Sequence, residues 1–188
     1  VKSDVLIYFI TFDEQKHISL AQSPKLRPHT VVISSFGKSL HTTGWKVGYA
    51  MAPEAISAEI RKVHQFLTFS VATPLQHAIN QYLGQYPEQL RAVGPLYETK
   101  RNLFLQLMAG SRFKALSCEG SYFQLMDYSA ISEMDDVSFA RWLTQEIGVA
   151  AIPVSAFYAS PPADRVVRFC FAKRESTLRE ACQILSKV

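Results

Sequence analysis

The sequence has few cysteines, and none at the spacing of metal ligands. Cys118, Cys170 and Cys182 are scattered through 188 residues, and their number is odd. That excludes a disulfide framework and a cysteine-rich zinc module; free thiols in a reducing cytosol are the expectation. No Cys-x-x-Cys, no His-Glu-x-x-His and no nucleophile elbow is present. Thiol redox, metalloprotease and serine-hydrolase chemistry are therefore left without their motifs. The lysines and arginines form no run that reads as a nucleic-acid patch. The apolar run Val5–Phe12 is far too short to cross a bilayer. An initiator Met is missing, and Val1-Lys2-Ser3-Asp4 does not read as a secretory leader, so a fragment or a processed product is expected, in the cytoplasm.

What is there suits a folded protein with a core. Hydrophobic residues make up 48% and charged residues 19%, as in ordinary globular domains. The formal charge of +4 would suit a site for a small anion, and equally no site at all.

Along the chain, Val5–Ile10 and Val31–Ile33 read as buried strands of a parallel sheet, because they are continuous apolar runs rich in β-branched residues. Trp45–Met51 reads as a third strand. Pro53 and Glu54 open a helix through about Phe66, with Ile56, Ile60 and Val63 on one face. Thr73 is expected to cap a second helix with Pro74 in its first turn. A longer helix runs from Pro87 to about Leu107 and ends at Gly110. Beyond it the texture changes. Phe113–Leu116, Ser121–Asp127, Val149–Pro153 and Val166–Phe171 read as strands. Val137–Ile147 and Ser176–Lys187 read as helices, the first stopped by Gly148 and the second capped by Ser176. The expected architecture is α/β in two parts: residues 1–95 with a parallel-sheet texture, and residues 96–188 as a smaller α+β unit, joined by the long helix.

Chemistry concentrates in Ser34-Ser35-Phe36-Gly37-Lys38-Ser39-Leu40-His41-Thr42-Thr43-Gly44-Trp45-Lys46-Val47-Gly48-Tyr49. Lys38 sits in a small-residue turn just after a buried strand. A lysine amine forms a Schiff base with an aldehyde cofactor when part of it is unprotonated, which burial and a second cation favour. Lys46 is the candidate second cation, and with Ser35 a candidate phosphate partner. Gly37, Gly44 and Gly48 would let backbone approach a cofactor closely. Ten lysines are present, and one in a Gly/Ser turn is as a rule simply solvated. Residues alone leave Lys38 open between the two readings. Arg168 poses a similar choice: in the apolar strand Val166–Phe171 it either faces water on the alternate face or is paired and functional.

The Ser-Ser-Phe-Gly-Lys and Gly-Trp-Lys-Val-Gly-Tyr segments resemble the cofactor-lysine region of class I/II aminotransferases, in particular the kynurenine and methionine aminotransferases. Phe69–Ala78, Gly120–Ser129 and Val167–Lys173 resemble further family segments, in the same order, so the resemblance covers nearly the whole chain. It implies the C-terminal half of a fold-type I enzyme that uses pyridoxal 5'-phosphate. Residues 1–95 would be the remainder of the large cofactor domain. Lys38 would carry the cofactor, and Ser35 and Lys46 would hold its phosphate. Arg168 would fork onto the substrate's α-carboxylate and Tyr122 would line the pocket. Asp4 falls on the aspartate that pairs with the pyridine nitrogen. There the pattern departs: Val5 replaces a glutamate, and Ile7 stands where a tyrosine is expected. Phe69 and Ser70 would reach a partner subunit's site in a homodimer, although simple packing is an equal reading for them and for Tyr122. His17, His41 and His77 read as structural.

The resemblance also implies that most of the pocket lies outside these residues. Three readings follow. One is a cytoplasmic aminotransferase acting on an amino acid and a 2-oxo acid, with methionine, kynurenine or aromatic amino acids as substrates. Another is an inactive fragment that serves at most for association. The last is a β-lyase on the same scaffold. By itself the 188-residue chain is not expected to turn over. No nucleic acid, membrane or metal is expected.

Overall fold

The computed structural model describes residues 2–5 by their backbone and residues 9–188 in full. The chain divides into two compact units, Val1–Gly94 and Pro95–Val188.

In the first unit, Lys2–Val5 forms β1 and Val31–Ser35 forms β2, paired in parallel with Asp4 opposite Ile33. Gly48–Met51 forms β3, antiparallel to β2, which gives a sheet of order β1-β2-β3. Two expectations shift. The first strand begins at Lys2 and Phe9 lies in a turn, with Leu6–Tyr8 outside the described residues. The third strand starts at Gly48, because Thr43–Trp45 makes a tight helical turn and Lys46 takes a left-handed conformation with φ 56°. A left-handed residue interrupts the pleat, so strand pairing resumes only beyond it.

Four residues, Phe36–Ser39, make the short helix α1 directly after β2. Glu54–Leu67 forms α2 and Thr73–Gln85 forms α3. Thr73 does not cap α3. The cap position is Ala72 and makes no side-chain bond, so Thr73 lies inside the first turn together with Pro74. The apolar face expected on α2 exists, but no α2 residue is buried. Gln89–Met108 forms α4, and the two units divide within it, between Gly94 and Pro95.

In the second unit, Lys114–Ala115 (β4), Phe123–Asp127 (β5), Ile152–Pro153 (β6) and Val166–Cys170 (β7) form an antiparallel sheet of order β4-β5-β7-β6. The strands alternate as a half-buried sheet must. Gln124, Met126, Val167 and Phe169 point into the core. There Phe169 meets Phe104 of α4 at a ring distance of 6.0 Å and Phe113 at 5.8 Å. Asp136–Trp142 forms α5, and Glu175–Leu185 forms α6, which buries Leu178, Cys182 and Leu185. Ser176 does not cap α6; Arg174 holds that position without a side-chain bond. The last turn of the expected helix, Leu143–Ile147, widens into a π turn closed by Gly148 at φ 83°.

Among the described residues, the tightest aromatic contact is Tyr128 on Phe139, stacked with centroids 3.8 Å apart. Both rings are fully buried, and the Tyr128 hydroxyl donates to the Met134 carbonyl at 2.9 Å. Phe139→Ala should lower stability by about 3–5 kcal/mol through lost burial and a residual cavity, measurable by denaturant unfolding. Burial, with the Asp136 carboxylate adding to it, pushes the Tyr128 phenol up to about 12. The sign follows from linkage: between pH ~10 and ~12 the unfolded phenol ionises while the folded one stays protonated. Stability should therefore fall across that window, and Tyr128→Phe should flatten the fall in melting curves.

Candidate active site

The sharpest local geometry in the first unit is the passage from β2 into α1 and back to β3. Ser35 ends β2, and its Oγ accepts the Gly37 N–H at 3.1 Å, capping α1. The Ser35 hydroxyl also lies 3.5 Å from the Val47 carbonyl, to which it donates. The Phe36 N–H donates to that same carbonyl at 3.1 Å. Thr43 Oγ1 donates to the Gly37 carbonyl at 3.0 Å, and Thr42 Oγ1 to the Phe36 carbonyl at 3.3 Å. These bonds close residues 35–47 into one knot. Ser35, Lys38 and Lys46 are thereby carried on a single turn, with Lys38 half-buried and Lys46 exposed.

Two glycines of this turn also meet the protein's own backbone. A Cβ on Gly48 would stand 2.5 Å from the Ser34 carbonyl, and one on Gly37 would stand 3.2 Å from the Thr43 Cα. At both positions the chain's close approach to itself leaves little room for a side chain. Gly44 has open space around it. Asp4 is placed by its backbone opposite Ile33 in β2, but its side chain lies outside the described residues, as do Ile7 and Tyr8. Phe69 and Ser70 follow α2 on an exposed loop, with Phe69 79% exposed and left-handed at φ 64°.

In the second unit, β7 alternation puts Arg168 on the face opposite Val167 and Phe169. The strand leaves it half-buried rather than out in water. Its guanidinium carbon sits 3.9 Å over the Phe123 ring and 4.8 Å over the Phe157 ring. Its Nε is buried without a hydrogen-bond partner. It faces a cavity of about 560 Å³ whose walls include Cys118, Phe123, Leu125, Val154 and Phe157. Tyr122 lies one ring further along, 4.3 Å from Phe123 and 5.9 Å from Tyr97. Burial pushes the Tyr97 phenol up, with Cys170 and Tyr122 adding to it.

Phe123 and Phe157 were not among the candidates drawn from sequence. Phe157 did leave a trace: two adjacent aromatics, Phe157-Tyr158, in a Ser/Pro-rich loop just before the arginine strand. Among the described residues, no three or more His, Cys, Asp or Glu are grouped to hold a metal ion. Among them too, no helix is long and apolar enough to cross a membrane.

A half-buried lysine on a knotted turn after a parallel strand, and a strand arginine over aromatic rings in a separate α+β unit, define a class of fold. Comparison with known proteins agrees with it. Residues 7–185 match the family model for aminotransferase class I and II, and the chain belongs to that family. It is 52% identical to the methionine aminotransferase of Escherichia coli (strain K12) over 188 residues, 100% of this chain and 49% of the relative. It is 34% identical to kynurenine–oxoglutarate transaminase 1 of Mus musculus, over 94% of this chain and 47% of that protein. A crystal structure from Escherichia coli, described as identifying a methionine aminotransferase function, superposes with a TM-score of 0.96 at 51% identity, covering 100% of this chain and 50% of that one. The fold is therefore that of a fold-type I aminotransferase, in part: the chain spans about half the length of the curated relatives it matches.

The Gly48 geometry predicts a local defect. Gly48→Ala should push β3 off Ser34 and loosen the Ser35–Val47 closure, at a cost of about 1–3 kcal/mol. Hydrogen exchange at the Phe36 amide should rise if so.

Proposed function

We propose that the whole protein containing this chain is a pyridoxal-phosphate-dependent aminotransferase acting on an amino acid with an apolar side chain, methionine or an aromatic amino acid among them. The observation that carries the reading is Arg168. A guanidinium held over two rings, with a buried Nε left unbonded, costs free energy unless something satisfies it, about 1–3 kcal/mol for the unmade bond. Among the described residues no carboxylate pairs with it. A planar fork facing a cavity suits a carboxylate ligand, bound through two parallel N–H bonds. The apolar wall of Leu125, Val154 and Phe157 suits an apolar side chain beside that carboxylate. Glu119, also on the wall, would repel a second acidic group.

The residues of the Ser35–Lys46 turn fit the cofactor by their chemistry: an amine for its aldehyde, with a hydroxyl and an ammonium for its phosphate. When bound, the cofactor would supply an electron sink for the charge that develops at the substrate's Cα. Lys38 would then take the proton from Cα and return it as general base and acid. Ser35 and Lys46 would anchor, and Arg168 would orient the substrate by its carboxylate. The fixed turn serves this because misplacing a reacting group by an ångström costs roughly a hundredfold in rate.

The same reading makes the protein a cytoplasmic homodimer. Supporting the dimer is the uncovered face at the end of α2, where Phe66 and Leu67 are 87% and 80% exposed; such a patch commonly marks an interface.

The test is made on the full-length protein. Borohydride reduction with the cofactor should label Lys38 in a peptide map, and Lys38→Ala should abolish transamination with the fold retained. Arg168→Lys should raise KM for amino acids about 10- to 100-fold, since a point charge cannot replace the fork. Label on another lysine, or an unchanged KM, would overturn the assignment.

A further inference from the structure

We infer that the turn Ser155–Phe157 is the specificity wall of the Arg168 cavity and that Asp136 is its positioning residue, an inference that rests on Arg168 being the substrate-carboxylate site. Asp136 opens α5 and is only 7% exposed. One carboxylate oxygen accepts the Ser155 N–H at 2.7 Å, and the other accepts the Ser155 hydroxyl at 2.7 Å. A buried carboxylate is tolerated when it is hydrogen-bonded, and such charge-assisted bonds are the strong ones. Both oxygens are spent on one residue 19 positions away in sequence.

That residue starts the tight turn that delivers Phe157. The Phe157 N–H donates to the Val154 carbonyl at 3.1 Å, and the Tyr158 N–H to the Ser155 carbonyl at 3.1 Å. Phe157 itself is 62% exposed, so packing around its ring is not what fixes it. Its place 4.8 Å from the Arg168 guanidinium follows from where the turn is pinned. Phe123, by contrast, is set by its own strand.

Two consequences follow for the site. The ring attracts the cation and narrows the conformations open to a long, flexible side chain, so less entropy is lost when a carboxylate binds. The ring also stands beside the ligand's side chain, where it favours apolar groups. Asp136 spends its carboxylate on Ser155, not on Arg168, and so acts through Ser155.

The test uses steady-state kinetics of the full-length enzyme with methionine and with glutamate, plus inhibition by 3-phenylpropanoate, a carboxylate that cannot transaminate. Asp136→Asn and Ser155→Ala should raise KM for methionine and the inhibition constant about 5- to 30-fold, the range of a lost cation–ring contact. The kcat should stay within about twofold, and the preference for methionine over glutamate should shrink. Ser155→Thr, which keeps hydroxyl and amide, should restore the original values. Phe157→Ala, at an exposed position that does not decide folding, should reproduce the loss by itself. Wild-type KM and selectivity in Asp136→Asn and Phe157→Ala, while Arg168→Lys still raises KM, would overturn the inference and leave the Arg168 reading standing. Equal loss of kcat and thermal stability, without rescue by Ser155→Thr, would also overturn it, because a merely structural tie behaves that way. An Arg168→Lys enzyme with unchanged KM would remove the reading on which it rests.

Discussion

The period-two alternation of β7 is the constraint on which the second unit depends. Val167 and Phe169 must go inward, where Phe169 is gripped by Phe104 and Phe113. Arg168 is then forced to the other face, and no slip of one residue is tolerated, since it would drive the guanidinium into the core and the Phe169 ring out of it. The register with β5 sets Arg168 opposite Leu125 and places Phe123 opposite Cys170, one step along. The same alternation that buries the core thus lays Phe123 beneath the guanidinium. Fold and site are consequences of one packing decision.

The first unit follows a different logic. Its site depends on a loop, and the loop is fixed by hydrogen bonds rather than by burial. Ser35 caps α1, its neighbour's amide reaches Val47, and Gly48 passes within contact of Ser34. Each bond is modest, on the order of 1 kcal/mol, but together they leave the turn few alternatives. A lysine on such a turn is held by its backbone even though its side chain is only half covered.

Much of this was legible in the residues. Helix starts at Glu54 and near Thr73, the stop at Gly110 and the alternating strands around Phe123 and Arg168 follow from local rules of period and punctuation. What was misread has a physical pattern. Thr73 and Ser176 look like caps, yet the caps are Ala72 and Arg174, one and two residues earlier; cap identity is decided by the dihedrals of a single residue, which neighbouring sequence hardly constrains. Gly37 and Gly48 mark close approach in the sequence, but only the structure shows the Thr43 and Ser34 backbone they meet, because a glycine records only that space is needed. Phe157 was passed over since its partner lies across the sheet edge, and pairings between distant residues leave no mark in local spacing.

Burial is divided unequally between the two units. Of the largest fully buried side chains among the described residues, Phe12 lies in the first unit; Tyr128, Phe139, Phe171, Met126 and Leu143 all lie in the second. The second unit therefore contains the means of its own stability: a sheet with one face covered and an aromatic stack at its centre. The first unit has an amphipathic helix, α2, with no buried residue and a cluster of bare apolar side chains at its end. An apolar stripe of that kind is a surface made to be covered, because leaving it in water forfeits about 25 cal/mol per Å². The hydrogen-bonded turn that carries Lys38 thus sits in the unit whose apolar surface is least covered within these residues. Arg168 and the rings it lies over sit in the self-sufficient one. The Lys38 turn and the Arg168 strand accordingly have separate structural foundations: hydrogen bonds within a loop hold the first, and burial of alternate strand residues holds the second.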